Sequence, residues 1–378
     1  MQGSELAPDA AAATRALRDG GTMVRHYLPG GREHGGGIGR MVGYIVDTAR
    51  DAGVNHLITD TRGTRWFPPV SLPKFAGAIL LMAKDRIAAP DRIHHIHVAG
   101  RGSTFRKWIL TSAARTLGCV HILHLHDYDY AAEIANRSPK WVARIRRMFQ
   151  GADHVVALGR RDHNTIETML EVDPSRLTIV HNCVPDPRPR AKTDTATPVI
   201  VFLGRLSERK GVPELLLALS RPALANLSWR AVLAGDGPVD EYRQRASELG
   251  LSGQVEIPGW LGRDDLRALC HQADILVLPS HSEGLAMAVV EGLAYGLSVV
   301  TTRVGAHEEV ISEGDTGLFV PVGDVDALAE TIARLVSDPK ARRRLSAAGR
   351  ARYLADFSMD SYSRSIGRIY EAVTNRAR

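Results

Sequence analysis

Short apolar runs rich in β-branched residues alternate with longer stretches of helical spacing, and this alternation occurs twice along the chain. Such a rhythm is typical of βα units, in which each strand of a parallel sheet is followed by a helix. Strands are predicted at 23–28, 55–59, 93–97, 120–125, 154–158 and 177–180, and then at 199–203, 230–234, 254–257, 274–278 and 298–301. The sequence therefore predicts an α/β fold with two doubly wound domains that face each other across a cleft.

A proline-rich segment, residues 185–198, separates the two halves and has no apolar periodicity, as expected of a linker. We therefore assign an N-terminal domain to residues 1–187 and a C-terminal domain to residues 188–356. Apolar residues of the tail share one stripe, which predicts a final amphipathic helix within 357–378. The spacing leaves open which domain this helix packs on, and a return to the N-terminal domain is one of the two possibilities.

Composition excludes several classes of protein. The chain has 378 residues, of which 44% are hydrophobic and 24% charged, so it is a folded globular protein. Its longest apolar run, 75–83, is far shorter than the ~20 residues of a membrane span. The first residues also lack a basic start followed by an apolar stretch, so we expect no signal peptide and a cytoplasmic protein. Three widely spaced cysteines fit neither a disulfide framework nor a zinc knuckle.

Positive charge is concentrated in residues 101–147, a segment that contains nine basic residues and only three acidic ones. A basic zone of this kind suits an anionic partner such as a phosphate, a nucleic acid or a membrane surface. Within 140–149, an apolar face is flanked by basic residues; it consists of Trp141, Ile145, Met148 and Phe149. The segment is either a helix that lies on an anionic leaflet or a core helix with a basic outer face, and the sequence leaves both open.

Glycines at 35–37 and 39 lie between the first strand and the first helix, where small residues let backbone amides approach a phosphate. The spacing of Gly37, Gly39 and Gly43 is one residue longer than the dinucleotide fingerprint, and Asp60 lies about 20 residues on. A nicotinamide-dependent oxidoreductase therefore stays a candidate, as does a flexible turn that binds nothing.

Two further loops of the second half carry charged residues at the ends of predicted strands. In 204–211, Arg205 and Lys210 are close enough along the chain to meet one diphosphate, whereas Arg209 fits a solvated surface position. Glu283 and Glu291 are eight residues apart and are expected to point to one side of a helix, where they can hold sugar hydroxyls. The alternative is a capping acid and a buried structural glutamate.

Two other clusters have the residue types of metal ligands. Asp127 and Asp129 form an Asp-x-Asp motif, but basic residues already meet the charge of a diphosphate, so no metal is expected. His94, His95 and His97 have no cysteine or carboxylate partner at ligand spacing, which favours packing at the end of a strand.

Taken together, the motifs at 204–211 and 283–291 and those at 234–238, 304–310 and 314–321 closely resemble the retaining glycosyltransferases of family 4. That family has the glycosyltransferase B fold of two Rossmann-like domains. The first half is similar more loosely, at 96–107 and 122–126, to the branch that builds bacterial exopolysaccharides and surface glycans. Gly292 stands where the family usually has alanine, and Ala286 and Ser298 where it often has proline.

The resemblance implies a role for each matching residue. Arg205 and Lys210 would neutralise the nucleotide diphosphate, Glu291 would hold the ribose, and Glu283 would lie near the donor sugar. His126 would face that sugar from the N-terminal, acceptor-binding domain. The implied catalytic residues are then Glu283, His126, Arg205 and Lys210, and the implied nucleotide-sugar contacts are Gly36, Gly37, Gly204, Arg205, Lys210, Glu283, Gly284, Leu285 and Glu291.

The implied function is that of a retaining hexosyltransferase. It would use a UDP-sugar in preference to a GDP-sugar and transfer the sugar to a glycan or lipid-linked acceptor in polysaccharide biosynthesis. Neither a cofactor, a metal nor a nucleic acid is expected, whereas segment 101–147 offers a peripheral contact with the inner face of the membrane. The alternatives are a sugar-nucleotide epimerase of similar architecture, a nicotinamide-dependent oxidoreductase, and a basic binding module without catalysis.

Overall fold

The computed structural model describes residues 22–48, 54–188 and 197–377, and it divides the chain into two compact units. Unit 1 contains the residues up to His181 together with those from Tyr362 onward, and unit 2 runs from Asn182 to Ser361. The division thus lies before Asn182 rather than after residue 187. The predicted linker falls partly, at 189–196, outside the described residues.

Unit 1 is built on a parallel sheet of six strands in the order β2-β1-β3-β4-β5-β6. These strands are β1 Thr22–Leu28, β2 Val54–Asp60, β3 Ile93–Val98, β4 His121–Leu125, β5 His154–Ala157 and β6 Leu177–Ile179. The helices are α1 Gly31–His34, α2 Gly36–Thr48, α3 Pro68–Ala88, α4 Arg101–Leu117, α5 Tyr130–Ala135, α6 Pro139–Gln150 and α7 Arg160–Leu170, with the final helix of the chain added to them.

One face of this sheet carries the aliphatic core of unit 1. The register aligns Tyr27, Ile96, Leu123 and Val155 across four strands, so their side chains share that face. Apolar residues of α3, α4 and α6 pack against them; these are Phe75, Ala78, Met82, Leu110, Ala114, Ile145, Met148 and Phe149. The opposite face of the same strands carries histidines.

The final helix packs in unit 1 through the predicted apolar stripe. It runs over Met359–Ala377, after a π-helical turn at Tyr353–Phe357. The buried residues of the stripe are Tyr362, Ile366, Ile369, Tyr370 and Val373. The Tyr370 hydroxyl lies 2.8 Å from Nδ1 of His95, which places the helix over the histidine-bearing face of the sheet.

Unit 2 repeats the architecture with a second parallel sheet, in the order β12-β11-β10-β7-β8-β9. Its strands are β7 Val199–Leu203, β8 Arg230–Ala234, β9 Val255–Gly259, β10 Ile275–Leu278, β11 Ser298–Thr302 and β12 Leu318–Val320. The helices are α8 Val212–Leu219, α9 Pro222–Ala225, α10 Val239–Glu248, α11 Arg263–Gln272, α12 Met287–Ala294, α13 His307–Val310, α14 Val325–Ser337 and α15 Pro339–Arg352, and the final helix is α16.

The eleven predicted strands are confirmed to within two residues at each end, and β12 was not predicted. A second difference lies in the glycine-rich segment after β1, which sequence patterning treats as a loop. It forms α1 and the start of α2. A Cβ on Gly39 would lie 2.6 Å from the Gly31 carbonyl oxygen, so these glycines allow α1 to pack directly on α2. Among the described residues, no helix is both long and apolar enough to span a bilayer.

Candidate active site

The loop that follows β7 carries the predicted diphosphate ligands of unit 2. It is tied to the loop after β8, because the Gly204 amide donates to the Ala234 carbonyl at 3.0 Å and the Leu206 amide to the Asp236 carbonyl at 2.7 Å. Arg205 is exposed, and its guanidinium has no partner among the described residues. An exposed, uncommitted arginine at this position is available to an anionic ligand.

Lys210, in contrast, is already paired within the protein. Its Nζ lies 2.5 Å from Oε1 of Glu283, and the Ser280 hydroxyl donates to the same oxygen at 2.8 Å. Arg209 approaches the other carboxylate oxygen at 3.4 Å and also donates to the Ser282 carbonyl. Sequence reasoning assigns Lys210 and Glu283 to different parts of a ligand, and the structure joins them in one buried ion cluster.

Burial by itself would raise the pKa of Glu283, because desolvation favours the neutral acid. Lys210 and Arg209 outweigh that effect and hold its pKa below the ordinary value of 4.5. Glu283 is therefore ionised at neutral pH. His307, buried beside this cluster, has its pKa lowered to about 4 by burial, so its imidazole is neutral there.

The loop 279–286 is fixed by its neighbours on two sides. On one side the His281 amide donates to the Arg209 carbonyl at 2.8 Å, and on the other the Ala306 amide donates to the Gly284 carbonyl at 2.8 Å. Because β7, β10 and β11 are adjacent in the sheet, the loops after them meet at its carboxyl edge. Ligand sites of open α/β sheets lie at this edge.

Leu285 and Glu291 extend the same region into α12. Asn182 donates through Nδ2 to the Leu285 carbonyl at 2.8 Å, which holds the chain just before the helix. Glu291 lies within α12 and is buried, as is every residue of that helix. Glu283 lies in the loop before this helix, and Glu291 lies within the helix. The two glutamates are therefore not on one helix face, as their spacing had suggested.

In unit 1 the predicted glycines lie at a helix start. Gly36 and Gly37 are exposed in the first turn of α2, and Gly36 has a left-handed backbone with φ of 60°. No acidic side chain lies in that turn.

Asp60, the acid of the dinucleotide interpretation, is engaged within the protein. Its Oδ1 accepts from the amides of Gly30, Arg62 and Gly63 at 2.8–2.9 Å, and its Oδ2 lies 2.9 Å from Nζ of Lys74. Burial opposes ionisation, but these donors lower the pKa of Asp60 to about 2. The carboxylate therefore organises the loops after β1 and β2.

His126 follows β4 and is partly buried. Its Nε2 lies 2.9 Å from Nδ1 of His97, and burial lowers its pKa to about 3, so it is neutral. His94, His95 and His97 lie inside β3 and are buried, whereas strand-end packing was expected.

The Asp-x-Asp motif initiates helix α5. Asp129 accepts from the Ala132 amide at 3.4 Å as the N-cap and pairs with Arg161 at 2.7 Å, while Asp127 accepts from the Asp129 amide at 2.8 Å. Burial raises the pKa of Asp127.

The basic segment 101–147 spans α4 to α6, and its apolar face is divided between core and surface. Ile145, Met148 and Phe149 are buried in the core, so that part of the face is not available to a bilayer. Trp141 instead lies beside Trp108 and Phe105, with ring centroids 5.5 and 5.7 Å away. We call Phe105, Trp108, Trp141 and Arg144 the aromatic patch, because Arg144 stacks over both tryptophans and Phe105 is 51% exposed.

Comparison with known proteins gives the family. The family model described as glycosyl transferases group 1 matches residues 186–352, and that of glycosyltransferase family 4 matches residues 35–188. The alpha-maltose-1-phosphate synthase of Mycolicibacterium smegmatis is 30% identical over 294 residues, which are 69% of this chain and 75% of that protein. This chain belongs to the group 1 glycosyltransferases.

Two further similarities fit this family. The lipopolysaccharide core biosynthesis glycosyltransferase LpsE of Rhizobium meliloti is 35% identical over 175 residues, 46% of this chain and 50% of that protein. The crystal structure of Anabaena HepE in complex with UDP-glucose has a TM-score of 0.73 at 18% identity, covering 93% of this chain and 99% of that one. The protein is thus a glycosyltransferase of glycan biosynthesis with the predicted glycosyltransferase B fold.

Several residues of the site were missed from the sequence. Arg209 was interpreted as solvated surface, yet it contacts both the Glu283 carboxylate and the Ser282 carbonyl. Ser280 and His307 were not singled out. The signal for Arg209 was its position next to Lys210, but the sequence does not show which of two adjacent cations turns inward.

Proposed function

We propose that this glycosyltransferase transfers a hexose from a UDP-sugar, in preference to a GDP-sugar, to a glycan or lipid-linked acceptor with retention of anomeric configuration. The observation that carries the proposal is the cation arrangement after β7. Arg205 is exposed and uncommitted, while Lys210 and Arg209 share the carboxylate of Glu283. The HepE complex, in which a protein of the same fold holds UDP-glucose, supports the choice of donor.

In this proposal the cations act on the leaving diphosphate. Cleavage of the sugar–phosphate bond builds negative charge on the diphosphate, and Arg205 and Lys210 stabilise it electrostatically. Gly204 keeps the loop close to the phosphates, and the backbone of Gly284 and Leu285 meets phosphate or sugar oxygens. Glu291 holds the ribose.

Two groups of unit 1 also have proposed roles in donor binding. The exposed amides of Gly36 and Gly37, at the start of α2, bind the diphosphate, since helix N-termini favour anions. His126 faces the donor sugar as a neutral imidazole.

The proposed chemistry is a front-face displacement, in which a diphosphate oxygen takes the proton of the incoming acceptor hydroxyl. Glu283 is a poor nucleophile, because Lys210 and Ser280 occupy one of its oxygens and Arg209 approaches the other. No metal is needed for this step, since protein cations meet the diphosphate charge. Trapping of a covalent glycosyl-enzyme on Glu283 would contradict the mechanism, and loss of activity in excess chelator would contradict metal independence.

Donor binding is the first test. We expect the melting temperature of the purified protein to rise with UDP-glucose or another UDP-sugar and not with NAD, because a ligand that binds the folded state stabilises it. Arg205→Ala and Glu291→Ala should abolish the shift. Arg267→Ala, which removes an exposed arginine from α11, is the matched control and should keep it. A shift with NAD alone would overturn the proposal.

Acceptor-dependent turnover separates transfer from epimerisation. A transferase releases UDP in proportion to the acceptor added, whereas an epimerase converts the sugar nucleotide without releasing UDP. We expect UDP release to rise when a lipid extract or glycan acceptor is supplied, and we expect the product linkage to keep the anomeric configuration of the donor. Conversion of the donor without UDP release would favour the epimerase.

We also propose that the protein works in the cytoplasm, with the aromatic patch resting on the inner face of the membrane. Arg144 and the rings of Trp108 and Trp141 combine a positive charge with interfacial aromatics, which suits an anionic leaflet. The test is cosedimentation with phosphatidylglycerol vesicles. The double variant Phe105→Ser/Arg144→Glu should pellet less than the wild type, whereas Leu354→Ser, at an exposed leucine of unit 2, should pellet equally.

A further inference from the structure

Six histidines lie together on one face of the unit 1 sheet. The register pairs His26 of β1 with His95 of β3, and His97 of β3 with His124 of β4, while His56 of β2 lies beside His26 and His126 follows β4. His26, His95, His97 and His124 are buried. The proposed function uses only one of the six, His126.

Four of these rings form one continuous chain of hydrogen bonds. Nδ1 of His56 lies 2.8 Å from Nε2 of His26, and Nδ1 of His26 lies 3.0 Å from Nε2 of His97. Nδ1 of His97 in turn lies 2.9 Å from Nε2 of His126. Every link joins Nδ1 of one ring to Nε2 of the next, so the chain runs head to tail across β2, β1, β3 and the end of β4.

A head-to-tail chain couples the tautomers of its members. A neutral imidazole carries one proton, so a ring that donates through one nitrogen must accept through the other. If His97 donates from Nδ1, then His126 accepts at Nε2 and must carry its own proton on Nδ1. If His126 donates from Nε2, every link reverses and its Nδ1 becomes an acceptor.

The chain depends on neutral rings, and its surroundings keep them neutral. Burial lowers the pKa of His26 and His97 well below 6.5, and it lowers that of His56 to about 4 and that of His126 to about 3. No ring therefore carries two protons at neutral pH, and the strict donor-acceptor alternation holds.

Nitrogens of His97, His124 and His126 also lie within 4.8 Å of one another, as do those of His26, His95 and His97. A transition metal could use three such imidazoles. Both nitrogens of His26 and both of His97 are, however, already hydrogen-bonded to other imidazoles. A metal would have to break the chain, so the geometry favours hydrogen bonding over coordination.

We infer that His97, supported by His26 and His56, is a positioning residue for His126 that fixes its ring plane and the nitrogen that carries its proton. The inference rests on the proposed role of His126 at the donor sugar. Nδ1 of His126 has no partner among the described residues, so it is the nitrogen available to a ligand. That nitrogen donates when the links run from His56 towards His126 and accepts when they run the other way, so its role is coupled to the chain behind it.

Two substitutions of His97 separate the two links it makes. An asparagine amide reaches about as far as Nδ1 of histidine, and a glutamine amide about as far as Nε2. His97→Asn therefore keeps the link to His126 and loses the link to His26, while His97→Gln does the reverse. His154→Gln is the matched control, because His154 is a sheet histidine outside the chain, bonded to Thr178.

The first measurement is made on the unmodified full-length protein. Long-range ¹H–¹⁵N spectra at pH 7.5 report the tautomer of each neutral histidine. We expect His126 to occupy a single tautomer, with one pyrrole-like and one pyridine-like nitrogen. Averaged nitrogen shifts for His126 would overturn the inference, as would binding of one equivalent of Zn²⁺ that moves the resonances of His97.

The second measurement is the steady-state kinetics of sugar transfer. We expect His97→Gln, which loses the contact with His126, to lower kcat about tenfold with little change in the donor KM, which is a rise of about 1.4 kcal/mol in the barrier. His97→Asn, which keeps that contact and loses only the one to His26, should lower kcat less, and His154→Gln should stay within about twofold of the wild type. Equal kcat for His97→Gln and His97→Asn would overturn the inference, as would full activity of His126→Ala. If the wild type transfers no sugar, the proposed function fails, and the spectra still decide whether the chain sets the tautomer.

Discussion

Nζ of Lys210 and Oε1 of Glu283 lie 2.5 Å apart in a largely buried ion pair that joins the loop after β7 to the loop after β10. The side chains are 12% and 8% exposed. In the proposed reaction the same lysine faces the diphosphate and the same carboxylate lies near the sugar. In that proposal the pair orients the lysine before the donor arrives. In the structure it links two loops that follow different strands.

Removing one partner of this pair should be costly. Glu283→Gln leaves Lys210 without its carboxylate, and breaking a buried ion pair in this way typically costs ~3 kcal/mol or more. We expect the free energy of unfolding to fall by about 3 kcal/mol in either Glu283→Gln or Lys210→Met, measured by urea denaturation. The double variant should be more stable than the sum of the single losses predicts. Strict additivity would mean that the two side chains do not interact.

The stability of the protein should fall as the pH drops below about 6.5. Burial lowers the pKa of His94, His154 and His307 to about 4, while the unfolded chain keeps values near 6.5. Between these values the unfolded state binds protons that the folded state does not, so acid favours unfolding. Each ring contributes a slope of up to about 1.4 kcal/mol per pH unit.

Urea denaturation at pH 7.5, 6.5, 5.5 and 5.0 measures this slope. His154→Gln should reduce the slope of the unfolding free energy between pH 6.5 and 5.0 by up to about 1.4 kcal/mol per pH unit, the contribution of one proton. It should change the stability at pH 7.5 less. Glu283 adds a separate loss at lower pH, because its pKa lies below 4.5 in the folded protein. A free energy of unfolding that is constant from pH 7.5 to 5.0 would contradict the expectation.

Ile145 tests whether the apolar face of α6 belongs to the core. The side chain is fully buried in the apolar core of unit 1. Ile145→Ala should lower the free energy of unfolding by roughly 2–5 kcal/mol, because it leaves a cavity. Trp141→Ala, at the half-buried edge of the same helix, should cost less stability but reduce vesicle binding. The reverse pattern would place the lipid-facing surface on the other side of α6.

The fold could be predicted closely because its strands are buried on both faces. Such strands appear in the sequence as continuous apolar runs, so β7 and β8 were placed without error. β12 is also apolar, but it has only the three residues Leu318–Val320, and it was not predicted. The segment after β1 was misinterpreted because glycine usually marks a loop, whereas at Gly39 it permits contact between two helices.

The charged residues of the site were found in the sequence, but their partners were not. Arg205, Lys210 and Glu283 follow predicted strands in the sequence, and the carboxyl ends of parallel strands meet at one edge of the sheet. The sequence therefore places these three residues at the same edge. It does not show that Lys210 turns inward to Glu283 while Arg205 stays exposed. Gly292 is a similar case. A Cβ there would lie 2.7 Å from Cδ2 of Leu276 in β10, so contact with that strand favours glycine at this position, and the sequence does not show this contact.

The histidine face shows a different limit of sequence reasoning. His95 and His97 alternate with apolar residues in β3, as do His124 and His126 around the end of β4. That period of two was visible, and it indicates one face of a sheet. Parallel pairing of β1 with β3 is needed to bring His26 beside His95, and only the topology supplies it.

Gly305 has no side chain, which lets its backbone lie directly against the loop that carries Glu283. Its φ is 57°, and a Cβ there would lie 2.0 Å from the Gly284 carbonyl oxygen and 2.3 Å from that of Glu283. Gly305→Ala should therefore displace residues 283–285, and we expect a loss of about 1–3 kcal/mol in stability together with loss of the melting shift by UDP-sugars. Gly253→Ala, where a Cβ meets nothing within 4 Å, is the control and should bind the donor normally. Unimpaired donor binding by Gly305→Ala would show that this backbone contact does not position the proposed sugar site.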